Sequence, residues 1–424
     1  SVARVRSYRN EAVAVVLKYI DEVDFNLPID WNSRMWPVLM GVEHHRIHIE
    51  TSSVLIRQLS LDHIKPDNIW EPCSQMPEAP ENMLLPVQSD AFQIGKSFQA
   101  ETYGWDNEYG THSVSQKEFL ASKYLVSNEE FKLFWKSGGY QNNDYWTSEG
   151  VLWKDYKKVT HPLFWILNSQ GEPTHLRTLD RLIAMPWSWP VEVNYLEAKA
   201  FCEWKSQTNN KPIRLPTEDE WFALLQMTTP NPAPANIALQ RYASSCPVNQ
   251  FQHQDFFDVT GNVWQWTETP IYPFHGFKVH PLYDDFSVPT FDGKHNLIKG
   301  GSWISTGNEA LPESRYAFRR HFYQHAGFRY VNSDQNEKIE KNPYETDTLL
   351  SEYCEFHYGQ EYHNTPIFPK SCIEMIRPFY SLLKNKHKAL DLGCALGRST
   401  LELSLDFTKT IGIDFSVRFI DRAK

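Results

Sequence analysis

Five prolines at positions 66, 72, 77, 80 and 86 punctuate one short stretch of the chain. Each fixes φ and removes a backbone donor, so neither a helix nor a central strand can cross it. The sequence is thereby divided into a helical part before and a differently patterned part after. Before it, Val13, Val16, Leu17 and Ile20 recur at helical spacing and predict a helix from about Val2 to Val23. A turn-rich connection, Asp24 to Trp36, leads to a second predicted helix from about Pro37 to Leu59. From Val87 to Asn332, short strand-like runs alternate with Trp and Tyr clusters; the clear helices are Tyr195 to Thr208 and one beginning at Thr217. A polar stretch, Asp334 to Thr348, reads as a linker, and Ile373 to Lys384 as a helix. The expected limits are therefore 1–65, 66–86 as a Pro-rich linker, 87–332, 333–372 as a second linker, and 373–424. A length of 424 residues fits about three units. Ser1 opens directly into a helical pattern and Lys424 falls inside a βαβ pattern, so we expect a fragment of a longer protein, cut at both ends.

Charge excludes several roles. With 42 basic against 52 acidic residues, a net −10, a nucleic-acid groove or polybasic membrane anchor is not expected. No run of eighteen apolar residues or signal core occurs, so no bilayer-spanning helix and no export are expected. Six cysteines without a C-x-x-C pair fit a reducing cytoplasm better than a disulfide framework. Fifteen tryptophans suggest irregular segments pinned by rings.

The segment Glu43-His-His-Arg-Ile-His48-Ile-Glu-Thr51 carries chemistry. His44 and His48 are four apart, so on a helix their side chains lie about 5–6 Å apart on one face. That spacing lets two imidazoles reach one metal ion, although two solvated histidines on an amphipathic helix would look the same. Iron that must also bind substrate and dioxygen would need a third protein ligand; none is evident nearby.

More specific are five phrases in the middle segment. They are Pro190 to Trp204, Arg214-Leu-Pro-Thr-Glu-Asp-Glu-Trp221, Gly261-Asn-Val-Trp-Gln-Trp-Thr-Glu268, Gly300-Gly-Ser-Trp303 and Gly327-Phe-Arg-Tyr330. In this order they resemble the formylglycine-generating, sulfatase-modifying fold, a C-type-lectin-like α+β domain. Their expected roles are mostly structural. Thr217 and Glu220 can form a capping box, and Gly300 and Gly301 permit close backbone approach beside Trp303. The reactive cysteine pair of formylglycine-generating enzymes has no counterpart in Ser314 to Gly327, so that chemistry is not expected.

A bundle bearing H-x-x-x-H followed by this domain resembles the iron-dependent sulfoxide synthases of thiol-histidine biosynthesis. The resemblance implies a DinB-type bundle in which His44 and His48 are two of three histidines on Fe(II), the third lying upstream of residue 1. It implies L-cysteine, L-histidine and O2 as small-molecule partners, joined as a sulfoxide. It assigns a catalytic tyrosine to Tyr283 in Pro281-Leu-Tyr-Asp-Asp-Phe286. Substrate carboxylates call for guanidinium groups. Arg315, Arg319, Arg320 and His321 form a local basic cluster, of which Arg319, Arg320 and His321 are the candidate substrate-binding residues.

Finally, Leu390-Asp-Leu-Gly-Cys-Ala-Leu-Gly397 followed by Gly412-Ile-Asp-Phe415 resembles S-adenosylmethionine-dependent methyltransferases of Rossmann-like fold. Asp391, Gly393, Gly397 and Asp414 are the candidate cofactor-binding residues, with Asp414 at a strand end suited to ribose hydroxyls. The domain stops short of its remaining strands, and no methyl transfer is expected from it. The expected fold is thus multidomain α+β: part of a helical bundle, the lectin-like domain, and the start of an α/β methyltransferase. Bundle, lectin-like domain and methyltransferase in that order resemble the ovothiol type of synthase. The rivals are the ergothioneine type, acting on trimethylhistidine, and a catalytically dead lectin-like binding module.

Overall fold

The computed structural model describes all residues except 25, 28, 89, 229–233, 335–346, 362–365 and 424. The chain forms two compact units, Ser1–Leu282 with Lys294–Glu337, and Tyr283–Gly293 with Lys338–Lys424.

The first unit opens with helices α1 (Val2–Glu22) and α2 (Trp36–Arg57), close to their expected limits. Ser1 caps α1 through its hydroxyl, and Pro37 occupies the first turn of α2, where a missing N–H costs nothing. Helix α1 buries none of its side chains among the described residues. The Pro-rich stretch has no helix or strand from Ile64 to Met83, although its last residues, Leu84 to Pro86, belong to a strand rather than to the expected linker, and it is fastened down. Ala243 N donates to Glu71 O (3.0 Å), Cys73 N to Ser244 Oγ (2.9 Å), and Trp189 Nε1 to Gln75 O (2.8 Å). Extended backbone rich in proline still offers its carbonyls, and here they are used.

Two four-stranded sheets organise the Val87–Asn332 region. The first runs in the order Leu84–Val87, Phe119–Ser122, Val331–Asn332, Ile213–Arg214, all antiparallel. Val331 pairs with Ala121 on one side and Arg214 on the other, so the end of this region closes on its beginning. Val87, Phe119, Ala121, Leu224 and Val331 make a buried core beneath that closure. The second sheet runs Tyr316–Arg319, His295–Lys299, Trp264–Pro270, Ala326–Gly327, its last pair parallel.

Four helices accompany these sheets, where the sequence pattern suggested two: α3 (Asn128–Lys136), α4 (Ser148–Lys157), α5 (Tyr195–Asn209) and α6 (Glu218–Gln226). The first two are short, so their periodicity is weak. Their caps are legible in retrospect, since Ser127 and Thr147 accept from Glu130 N and Gly150 N. The capping box at α6 forms as expected: Glu220 N donates to Thr217 Oγ1 (3.1 Å) and Thr217 N to Glu220 Oε2 (2.9 Å). Gly300 sits at φ +97°, and a Cβ there would lie 2.9 Å from Val259 O, the close approach expected of it.

The second unit holds α7 (Asp347–Tyr358), α8 (Phe368–Tyr380), α9 (Arg398–Ser404) and α10 (Val417–Ala423). Strands Lys388–Leu392 and Lys409–Ile413 pair in parallel across α9, the βαβ arrangement the glycine turn implied. Two expectations are corrected. The span 333–372 is not simply a linker, because α7 and the start of α8 lie within it, while 335–346 falls outside the described residues. Helix α8 begins at Phe368 rather than Ile373, with Pro369 in its first turn. Residues Tyr283–Gly293 group with the C-terminal unit and not with the segment that precedes them.

Candidate metal site and its mount

Helix α2 carries the histidine pair. The His44 and His48 ring centroids are 4.5 Å apart with the planes nearly perpendicular, at 88°. Burial, then the neighbouring His48 and His45, lower the His44 pKa. The neutral imidazole favoured by that shift is the form a metal takes. His45 turns away, its Nδ1 on Gly41 O at 2.8 Å. Among the described residues no group of three His, Cys, Asp or Glu side chains could hold a metal ion. The pair by itself offers two imidazole donors at a spacing one metal ion can bridge.

The other face of α2 is mostly polar and buried. Glu43, Glu50 and Arg57 recur every seven residues and so line one stripe. Glu43 accepts from Asn308 N (2.9 Å) and pairs with Arg46 (2.8 Å). Glu50 accepts three hydrogen bonds: from Trp264 Nε1 (2.6 Å), Ser302 Oγ (2.8 Å) and Ser305 Oγ (2.7 Å). Trp264 belongs to the Gly261-Asn-Val-Trp phrase, and Ser302 to Gly300-Gly-Ser-Trp. Farther along, Ser53 Oγ donates to Glu50 O (2.6 Å) and lies 2.7 Å from His325 Nε2. Arg57 pairs with Glu192 (2.5 Å), donates to Arg177 O (2.8 Å) and lies 3.7 Å over the Phe164 ring. Ser53, His325 and Glu192 thus stand in the order of a hydrolytic triad. The Ser53 proton is already committed to a helix carbonyl and all three are buried, so the arrangement serves as a brace.

Two titrations mark this interface. Burial raises the Glu192 carboxyl, but Arg57 and His325 overcome it and hold it at about 2. Glu309, in the short 3-10 turn Gly307–Ala310, is buried, its Oε2 has no hydrogen-bond partner among the described residues, and burial plus the charges of Glu50 and Glu43 push its pKa far up.

The remaining candidates are distributed as follows. Arg315 is interior, bound to Glu218 through Nε (3.0 Å) and Nη2 (2.9 Å), so it is not part of a surface cluster with Arg319. Arg320 is half-buried, donating to Asn296 Oδ1 (2.8 Å) and Glu149 Oε2 (2.9 Å); Arg319 is exposed. His321 packs edge-on against Phe322, and burial, then Arg319, lower its pKa. Tyr283 lies in the second unit with its ring 5.4 Å from Phe286; burial, then Asp285, raise its phenol pKa. In that same unit Asp414 accepts from Ala395 N and Ser416 N, both at 2.9 Å, and Asp391 from Thr400 Oγ1 at 2.7 Å. Gly393 (φ +75°) leaves open space where a Cβ would be, and Gly397 has the same φ. Glu50, Trp264 and Ser302 fall within the quoted sequence phrases, but no local pattern shows that they meet, and Ser305 lies in none of them. The polar seven-residue stripe 43–50–57 was the available signal.

Comparison with known proteins matches residues 73–334 to the sulfatase-modifying factor enzyme 1-like domain. Hercynine oxygenase of Mycobacterium tuberculosis is 29% identical over 268 residues, covering 56% of this chain and 58% of that protein. Ergothioneine biosynthesis protein 1 of Schizosaccharomyces pombe is 22% identical over 324 residues, covering 68% of this chain and 38% of that protein. The chain thus spans about half the length of these curated relatives. Among solved structures, PvdO from Pseudomonas aeruginosa is similar with a TM-score of 0.40 at 17% identity, covering 59% of this chain and 94% of that one.

Proposed function

The chain belongs to the family of sulfatase-modifying factor enzyme 1-like domains, and from that premise we propose that it is part of an iron- and O2-dependent sulfoxide synthase. The reaction joins a cysteine-type thiol to an imidazole carbon of a histidine-type substrate and leaves the sulfur as a sulfoxide. The carrying observation is the His44/His48 pair on α2, whose neighbouring Glu50 is bound by the Trp264 and Ser302 phrases of the domain. Bound Fe(II) would supply the electron transfer that dioxygen chemistry requires. The chain's own residues do the rest. His44 and His48 hold the metal as neutral imidazoles. Arg319, Arg320 and His321 offer cationic and hydrogen-bonding groups to substrate carboxylates. Tyr283, kept as the phenol by its raised pKa, can give up its proton or hydrogen at Oη.

The relatives named hercynine oxygenase favour trimethylhistidine as the imidazole substrate over free histidine. A second reading, the histidine-using ovothiol type, draws on the parallel strand pair and glycine turn of the C-terminal unit, which resemble a methyltransferase. The test loads the full-length protein anaerobically with Fe(II), then adds cysteine and oxygen with either trimethylhistidine or histidine. Mass spectrometry should find a sulfoxide adduct that is lost in His44→Ala. An adduct with trimethylhistidine alone supports the first reading, and one with histidine alone the second. No adduct from iron-loaded protein sinks both and leaves a binding module.

A further inference from the structure

We infer that Glu50 is a positioning residue: its carboxylate fixes helix α2 on the Val87–Asn332 domain in one orientation, and with it the direction in which the opposite face, bearing half-buried His44 and exposed His48, presents a bound metal to substrate. This rests on the proposed metal at the histidine pair. Burying a carboxylate is costly unless it is fully hydrogen-bonded, and apolar side chains of similar size attach a helix at no such cost. Glu50 is nevertheless buried, and it is satisfied by three neutral donors rather than by a cation.

The donors come from two separate segments, a strand and a turn. Trp264 starts a strand of the second sheet. Ser302 and Ser305 share one turn, in which Ser302 N donates to Ser305 Oγ (2.8 Å) just after Gly301 at φ +76°. Three directional bonds from a strand and a turn define both the rotation and the height of the helix, which contact area alone would not. The bracket is completed by Glu43, one residue before His44, on Asn308 N. The pair lies between these two anchors, while its own spacing is set by the helix. Glu50 therefore acts on where the pair sits, not on whether the pair exists.

That separation gives the test. Co(II) replaces Fe(II) in the full chain, and its visible d–d bands report metal binding. Added cysteine is then followed by the thiolate-to-cobalt charge-transfer band. In Glu50→Ala with wild-type helicity, Co(II) affinity should be retained and cysteine affinity should fall about tenfold. Glu50→Gln, which keeps the shape and one acceptor oxygen, should recover part of that loss. Unchanged cysteine affinity in Glu50→Ala overturns the inference, as does loss of Co(II) affinity to the same degree as cysteine affinity. If Glu50→Ala does not fold, Ser302→Ala/Ser305→Ala, which removes two of the donors, carries the same comparison. Wild-type protein whose Co(II) bands do not depend on His44 overturns the metal reading itself, and the inference with it.

Discussion

Trp264 and Glu50, separated by 214 positions in sequence, share a 2.6 Å hydrogen bond sealed from solvent. Replacing the indole by Phe in Trp264→Phe keeps a ring against Tyr316 but withdraws one of three donors from a buried carboxylate. The expected cost is about 1–3 kcal/mol, read from urea unfolding monitored by helicity. An unchanged midpoint would mean that the hydroxyls of Ser302 and Ser305 suffice.

Glu192 predicts acid sensitivity. Its folded pKa of about 2 lies below the ordinary 4.5, so the folded state binds fewer protons in this window. The stability it contributes is complete above about 4.5 and is lost as pH falls toward 2. Glu192→Gln should flatten that acid limb. It should also cost about 3–5 kcal/mol at neutral pH, because Arg57 would remain buried without its partner. Parallel acid limbs in the two proteins would refute the assignment.

Glu309 works in the opposite direction. Burial and the charges of Glu50 and Glu43 raise its folded pKa above the ordinary 4.5, so the folded state holds a proton the unfolded chain releases. Stability from this group is full below 4.5 and declines as pH rises through the neutral range and beyond. Glu309→Gln needs no proton, so it should melt higher than wild type at pH 8 and show a shallower alkaline decline. Thermal unfolding at pH 6, 7, 8 and 9 decides the matter; identical slopes count against it.

Arg315 and Arg320 should behave differently despite their proximity in sequence. Arg315→Ala leaves the buried Glu218 with Lys299, at 3.5 Å, in place of a two-point guanidinium partner and should cost about 1–3 kcal/mol. The Arg320 pair with Glu149 is partly exposed, so Arg320→Ala should cost below about 1 kcal/mol, with any larger effect appearing in KM for an amino-acid substrate. Equal destabilisation would show Arg320 to be scaffold.

What the sequence disclosed was local. The four-residue spacing of His44 and His48, the Thr217/Glu220 capping box and the glycine pair at 300 and 301 each involve residues within about one turn of each other, and each takes its expected local geometry. Long-range partnerships were hidden. Nothing near Glu50 announces Trp264 or Ser305, and Arg315 seemed one of a basic group until Glu218, 97 positions away, claimed it. Helices α3 and α4, at nine and ten residues, hold too few periods to stand out, whereas the equally short α6 is marked by its capping box. Tyr283 falls within the continuous middle segment of the sequence pattern, yet it groups with the C-terminal unit, a partition no local pattern records.

Helix α2 stands on a footing in which four of its seven buried residues are Glu43, Glu50, Ser53 and Arg57. Greasy contacts can loosen by degrees, each side chain repacking as its neighbour moves. A footing of this kind has no intermediate settings: a slip of one turn, about 5.4 Å, would leave buried charges facing the wrong groups all along the helix. The helix is therefore either seated or wholly released, and its departure from the domain is a single cooperative event. Substitutions can accumulate in the surrounding loops without the histidines drifting, because the seat admits only one position.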